Sequence, residues 1–457
     1  MGSLVTIYIL NYNYGQYLEQ CIDSVLAQSY ENFEFIIIDD GSTDDSITVL
    51  DQYVGMGINI IKQRNIGLVK SIYKAFSISN GKYVVRVDAD DWVEKDFLKC
   101  LVCEIEKNED IAMVFPDYYE VNEQGSILHR VKRHNFSTDV TILDQPAHGA
   151  CTLTRRDAYF DVGGHNQNIE CQDGVDIWLS ITNKYSVSNH KEPLFFYRKH
   201  GSSITTNFEK ILDNRSIIFR DHAKNRGYKK ISVIAFIPIR SQIYNGKEFS
   251  LHLVGKQTLL DITIEKALLS TEVTSIVVST DSLLISNYVM EKYTDIEVHI
   301  RNENITQQGK HINLSIKDYF LSKNELKISS LVILTPHSPF STYQYIDTAV
   351  FSSYLFNTAV VDSVIEDASI MYYHDGHGMK KMHGSDIRNE RDYVYIRKGG
   401  ITFYSLEAVN SVVFGEIKTK GIGHILITKN ASFDVNDEYS LKVAGCILIC
   451  NNKKMEK

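Results

Sequence analysis

Short apolar runs alternate along this chain with stretches in which apolar residues recur every three or four positions. Residues 4–10, LVTIYIL, form an apolar run of strand length, and Leu18, Cys21, Ile22, Val25 and Leu26 follow at helical spacing. FIII at 35–38 predicts a strand, and a helix is expected to start near Asp44 or Asp45. The series continues with strands at 58–61, 83–87 and 111–115 and helices at 68–79 and 94–107. Short apolar strands separated by amphipathic helices imply a parallel sheet covered on both faces. Ligands of such sheets bind beyond the carboxyl ends of the strands. The loop after FIII and the loop after YVVRV should therefore share one rim.

The alternation restarts at residue 231. SVIAFIP predicts a strand, and Leu259, Leu260, Thr263, Ile264, Ala267 and Leu268 make a helical face. TSIVVSTD and SLVILTP at 330–336 predict further strands. The polar, charged segment HAKNRGYKK at 222–230 lies between the halves and is read as the boundary. The expected fold class is α/β: two Rossmann-like domains, residues 1–225 and 230–457. Neither half carries a short internal repeat or a low-complexity tract.

Composition narrows the function classes. The chain has 457 residues, enough for two domains with sizeable cores, and a formal net charge of −9 with no strongly basic block. That argues against nucleic acid as a partner. The longest apolar run, VIAFIPI at 233–239, falls well short of the roughly 18 residues of a membrane-spanning helix, so membrane contact is expected to be peripheral. Met1 leads directly into a strand pattern, which predicts no signal peptide. The 7 cysteines are scattered and odd in number, as expected for a reducing cytoplasm. Cys100 and Cys103 form a CxxC without a second ligand pair at finger spacing. They fall in a helical pattern with Phe97, Leu98, Leu101, Val102 and Ile105, and core packing is the expected role.

The chemistry is concentrated at two strand ends. IIIDDGSTDD (36–45) and VRVDADDW (86–92) both run from a buried strand straight into carboxylates. Asp is a good turn and cap residue, and Asp44, Asp45 and Asp91 can be read that way. Two acidic strand ends on one rim ask for more. Close carboxylates repel unless a cation sits among them, and a hard divalent ion reverses the sign of that interaction. Mg²⁺ or Mn²⁺ is usually held by one or two carboxylates together with substrate phosphates. A diphosphate-linked substrate fits such a site.

At this point the residues resemble a known family. VTIYILNYNYGQYLEQCIDSVLAQSYENFEFIIIDDGSTDDS is similar to the start of family-2 glycosyltransferases of the GT-A fold. RNIGL (64–68), GKYVVRVDADDW (81–92), HGACTLTRRDAY (148–159), GGHNQNIECQDGVDIWL (163–179) and FYRKHGSSIT (196–205) follow in the family's order, covering about residues 4–220. The resemblance implies that Asp40, with Asp39 beside it, binds the nucleotide base, and that the backbone near Ile9 and Asn11 lines the same pocket. It implies that Asp88 and Asp90 hold a metal, Mg²⁺ or Mn²⁺, on the donor diphosphate, with Asp91 the usual extra acid and His200 within reach of the metal or the diphosphate. A general base must reach the acceptor hydroxyl; the resemblance points to Asp173 first, Asp176 second and Glu170 third. Asp176 can also be read as a cap for a helix starting at Ile177. Ile72 and Tyr73 stand where many relatives carry an Arg-Asn pair, which leaves Lys70 or Arg64 as cations toward the phosphates. The implied partners are a nucleotide-sugar donor, a UDP-sugar by default, and a glycan acceptor, lipid-linked ones included.

Residues 231–281 resemble the cytidylyltransferases that activate acidic sugars as CMP conjugates. LTPHSPF (334–340), KGGITFYS (398–405) and IGHILITKNASFDVNDEYSLKVA (422–444) fit later elements. The resemblance implies that Arg240 and Lys247, on the first loop, bind the nucleotide triphosphate. Several charged positions depart from the family: the first loop is about two residues short, Ser341 stands where relatives have Arg, and Asp434 is kept while Asn436 replaces a metal-binding Asp. Asn holds a divalent cation less well than a carboxylate does. The expectation is an inverting, metal-dependent glycosyltransferase building a surface glycan. Its second half then either also makes a CMP-activated acidic sugar or serves as a non-catalytic, sugar-binding or scaffold module.

Overall fold

A computed structural model describes residues 2–131, 149–201, 208–302, 305, 311–323, 325, 327–367, 369–374, 379–383, 394–415 and 421–455. His148 and residues 202–205 of the family-like segments lie outside the described residues. The chain divides into two compact units between Ile218 and Phe219. The α/β expectation holds for each.

The first unit is built on a sheet with the strand order β3-β2-β1-β4-β8-β6-β9-β5, with β7 paired to β6. Its strands are β1 (Val5–Asn11), β2 (Phe33–Asp39), β3 (Ile58–Lys62), β4 (Tyr83–Asp88), β5 (Trp92–Val93), β6 (Ile111–Val121), β7 (Ile127–Val131), β8 (Leu153–Arg155) and β9 (Ser186–Arg198). Strands β3, β2, β1 and β4 run parallel, with Leu10 opposite Asp88 and Asn11 opposite Asp39. The two acidic strand ends therefore flank the end of β1 on one rim. Every residue of β1 is buried, as a strand covered on both faces requires. Val5, Ile7, Ile9, Val85 and Val87 pack with Leu18, Ile22 and Val25 of α1 (Gly15–Leu26) and with Leu98 and Leu101 of α4 (Phe97–Ile105). On the opposite face Tyr8 meets Phe76 of α3 (Leu68–Ile78), which stacks on Tyr159 at 3.7 Å between ring centroids. Strand β6 runs past the expected 111–115 to Val121, and its pairing with β9 shifts register around Pro116 and Asp117, because proline cannot donate to the ladder.

The apolar face of α4 is made of Phe97, Leu98, Leu101, Val102 and Ile105. Cys100 only flanks that core and Cys103 is exposed. The expectation that both pack in the core is corrected: the helical phase that buries 98, 101 and 105 turns 103 to solvent.

The second unit carries a seven-stranded sheet ordered β16-β15-β10-β17-β21-β18-β22. These are β10 (Val233–Ile239), β15 (Ser275–Thr280), β16 (Glu297–Ile300), β17 (Ser330–Leu334), β18 (Val360–Asp367), β21 (Val394–Tyr404) and β22 (Ile422–Leu426). Small hairpins β11 (Ile243–Tyr244) with β12 (Lys247–Glu248), β13 (Leu253–Val254) with β14 (Gln257–Thr258), and β19 (Met371–His374) with β20 (Met379–His383) lie outside it. Strand β10 is parallel to β15 and β17, while β21 runs antiparallel to β17. The faces of β10 alternate between two cores: Val233, Ala235 and Ile237 pack with α8 (Leu259–Leu269), and Ile234 and Phe236 with the helix Ile312–Leu321. Among the described residues no helix is long and apolar enough to cross a membrane.

Candidate active site at the carboxyl rim of the first sheet

Strand β4 delivers the acids. After Val87 the chain turns tightly, the Asp91 N–H donating to the Asp88 carbonyl at 3.0 Å, so that Asp88, Asp90 and Asp91 leave one turn in three directions. Asp88 faces Arg86, whose Nε lies 2.8 Å from its Oδ1. Asp90 faces His200, with Nε2 2.8 Å from Oδ2. Asp91 turns inward, where its Oδ1 accepts the Arg198 N–H at 2.9 Å and its Oδ2 is buried with no hydrogen-bond partner among the described residues. Burial, with Asp90 and Asp173 adding repulsion that Arg86 only partly offsets, raises Asp88 to about 6. Burial and the charges of Asp90 and Asp88 push Asp91 up as well. This is the electrostatic signature of acids gathered with too few cations.

Arg86 is the residue that the sequence pattern did not single out. It occupies one position in an otherwise apolar strand and is 5% exposed. Its Nη1 donates to Asp173 Oδ2 at 2.9 Å while its Nε contacts Asp88. One guanidinium thus spans the first acid of β4 and the first choice of base. A charge inside a strand that reads VVRVD was the available signal, since a buried Arg requires acidic partners. Asp173 opens the first turn of α6 (Asp173–Thr182), behind Gln172 in the left-handed conformation. Gly149 lies against it: a Cβ there would sit 1.9 Å from Asp173 Oδ2 and 2.8 Å from Arg86 Nη2. The adjoining segment is held by the Cys151 N–H donating to the Arg86 carbonyl at 2.6 Å. Behind the guanidinium is a cavity of about 20 Å³ lined by Tyr8, Thr152, His165 and Asp173 among others, room for about one water.

The other expected residues fall in distinct places. Asp176 is 1% exposed, and its Oδ2 accepts the Asn166 N–H at 2.7 Å. The helix begins at Asp173, so Asp176 does not cap a helix starting at Ile177; it braces the loop before it. Glu170 is on the surface, ion-paired to Lys210 at 2.5 Å. Asp39 accepts from Asn11 Nδ2 at 2.8 Å and from Ser42 Oγ at 2.6 Å. Asp40 accepts from Gln63 Nε2, from the Ile66 N–H and from the Gly67 N–H at 2.7, 3.0 and 2.9 Å. Both carboxylates of the DDGS turn thus shape the loops around them, and Asp40 ties down the loop of RNIGL. Ile9 has its side chain wholly in the core. Arg64, Lys70 and Tyr73 are exposed, while Ile72 is buried.

A divalent ion fits the β4 turn chemically. Among the described residues no three His, Cys, Asp or Glu side chains converge to hold a metal by themselves. Mg²⁺ or Mn²⁺ needs only one or two carboxylates when phosphates complete the shell. Asp88 and Asp90 supply hard oxygens, His200 stands beside Asp90, and the raised affinity of Asp88 for protons marks a place where positive charge is wanted.

In the second unit, Arg240, just after β10, and Lys247, at the start of β12, are both exposed. The far wall of that rim is a chain of polar contacts. Lys266 of α8 donates to Ser341 Oγ at 2.6 Å and to the Ser338 carbonyl at 3.1 Å. Ser338 Oγ donates to Asp434 Oδ1 at 2.8 Å, and Lys398 pairs with Asp434 Oδ2 at 2.8 Å. An amine thus arrives at position 341 from a neighbouring helix. Asn436 is exposed, its N–H donating to Ser440 Oγ at 3.0 Å.

Acids thus gather on the carboxyl rim of a largely parallel α/β sheet, with an Asp at a facing helix start. Two family models match parts of the chain. Residues 6–163 match the family described as Glycosyl transferase family 2, and residues 246–368 match the family described as Cytidylyltransferase. An uncharacterized glycosyltransferase of Haemophilus influenzae is 26% identical over 247 residues, covering 50% of this chain and 72% of its own length. The chondroitin synthase of Pasteurella multocida is 30% identical over 182 residues, 39% of this chain, but the match spans only 19% of that protein. The crystal structure of S. aureus TarS 1–349 in complex with UDP-GlcNAc is 16% identical, covers 50% of this chain and 68% of that one, and superposes with a TM-score of 0.41. The Glycosyl transferase family 2 match falls within the first unit and the Cytidylyltransferase match within the second.

Proposed function

We propose that the first unit transfers a sugar from a nucleotide-sugar donor to a hydroxyl of a bacterial surface glycan, with inversion at the anomeric carbon and in the cytoplasm. The donor to try first is a uridine diphosphate sugar. Capsule, lipopolysaccharide or a glycosylated surface protein is the destination, reached through peripheral contact where the acceptor is lipid-linked. The observation that carries this reading is Arg86, which holds Asp88 and Asp173 within one guanidinium span. The acid facing the donor phosphates and the group facing the acceptor are thereby registered to each other, the positioning that a direct displacement needs.

Asp173 takes the proton of the attacking hydroxyl, and Arg86 and the first turn of α6 hold its carboxylate in place. Asp88 and Asp90 would hold Mg²⁺ or Mn²⁺, with His200 setting the Asp90 carboxylate, and the ion would supply positive charge against the departing nucleotide. Asn11, Asp39 and Asp40 shape the base pocket, in a supporting role, because their side chains are already hydrogen-bonded within it.

A thermal-shift panel of nucleotide sugars, with Mn²⁺ or with chelator, tests donor and cation together. One donor should raise the melting temperature with Mn²⁺ and lose that effect with chelator or in Asp90→Ala. Equal stabilisation in the Asp90→Ala protein, or none by any nucleotide sugar, sinks the proposal.

A further inference from the structure

The cytidylyltransferase resemblance implies a divalent cation at Asp434 and the position two residues on. The side chains present do not fit one. Both oxygens of Asp434 are engaged, by Ser338 Oγ and by the Lys398 ammonium, each at 2.8 Å. Position 436 offers a neutral amide. Lys398 is brought there by the two glycines that follow it, with φ of +80° and +64°; a Cβ on Gly400 would meet Thr335 Oγ1 at 2.1 Å. Only glycine tolerates that geometry, so the bulge and its lysine are built into the loop packing.

The phosphate side of the rim is closed in the same way. In the loop after β10, backbone N–H groups would have to face a triphosphate. The Ser241 N–H instead donates to Asp281 Oδ1 at 2.7 Å, and the Gln242 N–H to Glu248 Oε2 at 3.0 Å. Glu248 is 2% exposed and also takes the hydroxyls of Ser241 and Ser282 at 2.8 and 2.5 Å. A buried carboxylate so fully bonded does not swing aside cheaply, and its charge repels a polyphosphate.

We propose that the second unit is a nucleotidyl-transfer site filled from within. The Lys398 ammonium takes the place of the metal at Asp434, and Glu248 and Asp281 take the place of phosphate on the loop N–H groups. The unit therefore retains neither a divalent ion nor the triphosphate of CTP, and it forms no CMP conjugate.

Counting bound Mn²⁺ by electron paramagnetic resonance on the full chain, with CTP present, tests this. Asp434→Asn should bind as many ions as the parent, and neither should release pyrophosphate from CTP in the presence of an acidic nine-carbon sugar. The double variant Lys398→Ala/Asn436→Asp should gain one ion, and Asp434→Asn added to it should remove that ion. An ion lost from the parent on Asp434→Asn, or pyrophosphate release that Asp434→Asn abolishes, overturns the proposal. So does a double variant that melts cooperatively yet gains no ion; Lys398→Gln/Asn436→Asp serves if the alanine version does not fold. Sugar transfer by the first unit enters none of these readings, since Asp90 is unchanged throughout.

Discussion

The two rims solve one problem in opposite ways. Each unit places acids at the carboxyl ends of parallel strands. In the first, Asp88, Asp90, Asp91 and Asp173 share Arg86, the Arg198 N–H and His200, and the imbalance shows as Asp88 and Asp91 both holding protons more tightly than usual. In the second, Asp434, Glu248 and Asp281 each have dedicated donors from their own chain. A rim left short of positive charge recruits it from outside, whereas a balanced one has no use for it. Fold class alone does not tell the two apart.

The sharpest way to separate them is at the facing helix start. Asp173→Asn should lower turnover by about 10²–10⁴-fold, the usual worth of a positioned base, with donor-induced stabilisation kept. Asp176→Asn, three residues on, should act on stability instead, by roughly 1–3 kcal/mol for a disturbed buried acceptor, with turnover per folded molecule nearly unchanged. If Asp176→Asn costs the turnover and Asp173→Asn does not, the roles are reversed.

Next comes the bridge. Arg86→Met removes the cation that both Asp88 and Asp173 face. Breaking a buried pair on one side costs on the order of 3–5 kcal/mol, so urea midpoints should fall clearly. Added Mn²⁺ should restore part of that loss in the first unit. Equal melting of parent and variant would show that the guanidinium is dispensable.

The smallest effect belongs to the second rim. Burial lowers Lys266 from 10.5 to about 7, with hydroxyl and carbonyl partners and, among the described residues, no acid. Between about pH 7 and 10 the unfolded chain holds a proton that the folded one lacks, so this residue makes stability rise with pH across that window. Lys266→Met should remove that component. Urea melts at pH 7 and pH 9.5 check it: the parent should gain more than the variant, and parallel gains would refute the assignment.

How much of this was legible beforehand follows a simple rule. The strands around β1 and β4, and the helices α1, α3, α4 and α8, were visible because their apolar periodicity is local. The strands β5, β8 and β9 were not, since pairing between residues far apart in the chain leaves no mark on either segment alone. The same distance hid the site's organisation. DADD and ECQDGVD could be picked out as acidic, but that Arg86 joins them is a fact of packing between β4 and α6. In the second unit the missing arginine at 341 was readable, whereas its replacement by Lys266, 75 positions earlier, was not.

Arg198 sets a boundary on what the first rim can rearrange. Its guanidinium lies between the rings of Tyr17 and Trp92, at 4.5 and 4.8 Å from their centroids, and donates to the carbonyls of Asp90 and Glu123 and to Gln20. A peptide clamped on so many sides has little slack. The backbone of the DADD turn is thus fixed in advance, and adaptation to different donors falls to side-chain rotations of Asp88 and His200. Tolerance for an unusual nucleotide sugar should accordingly be won by changes around those two rotamers, and seldom by remodelling the turn itself.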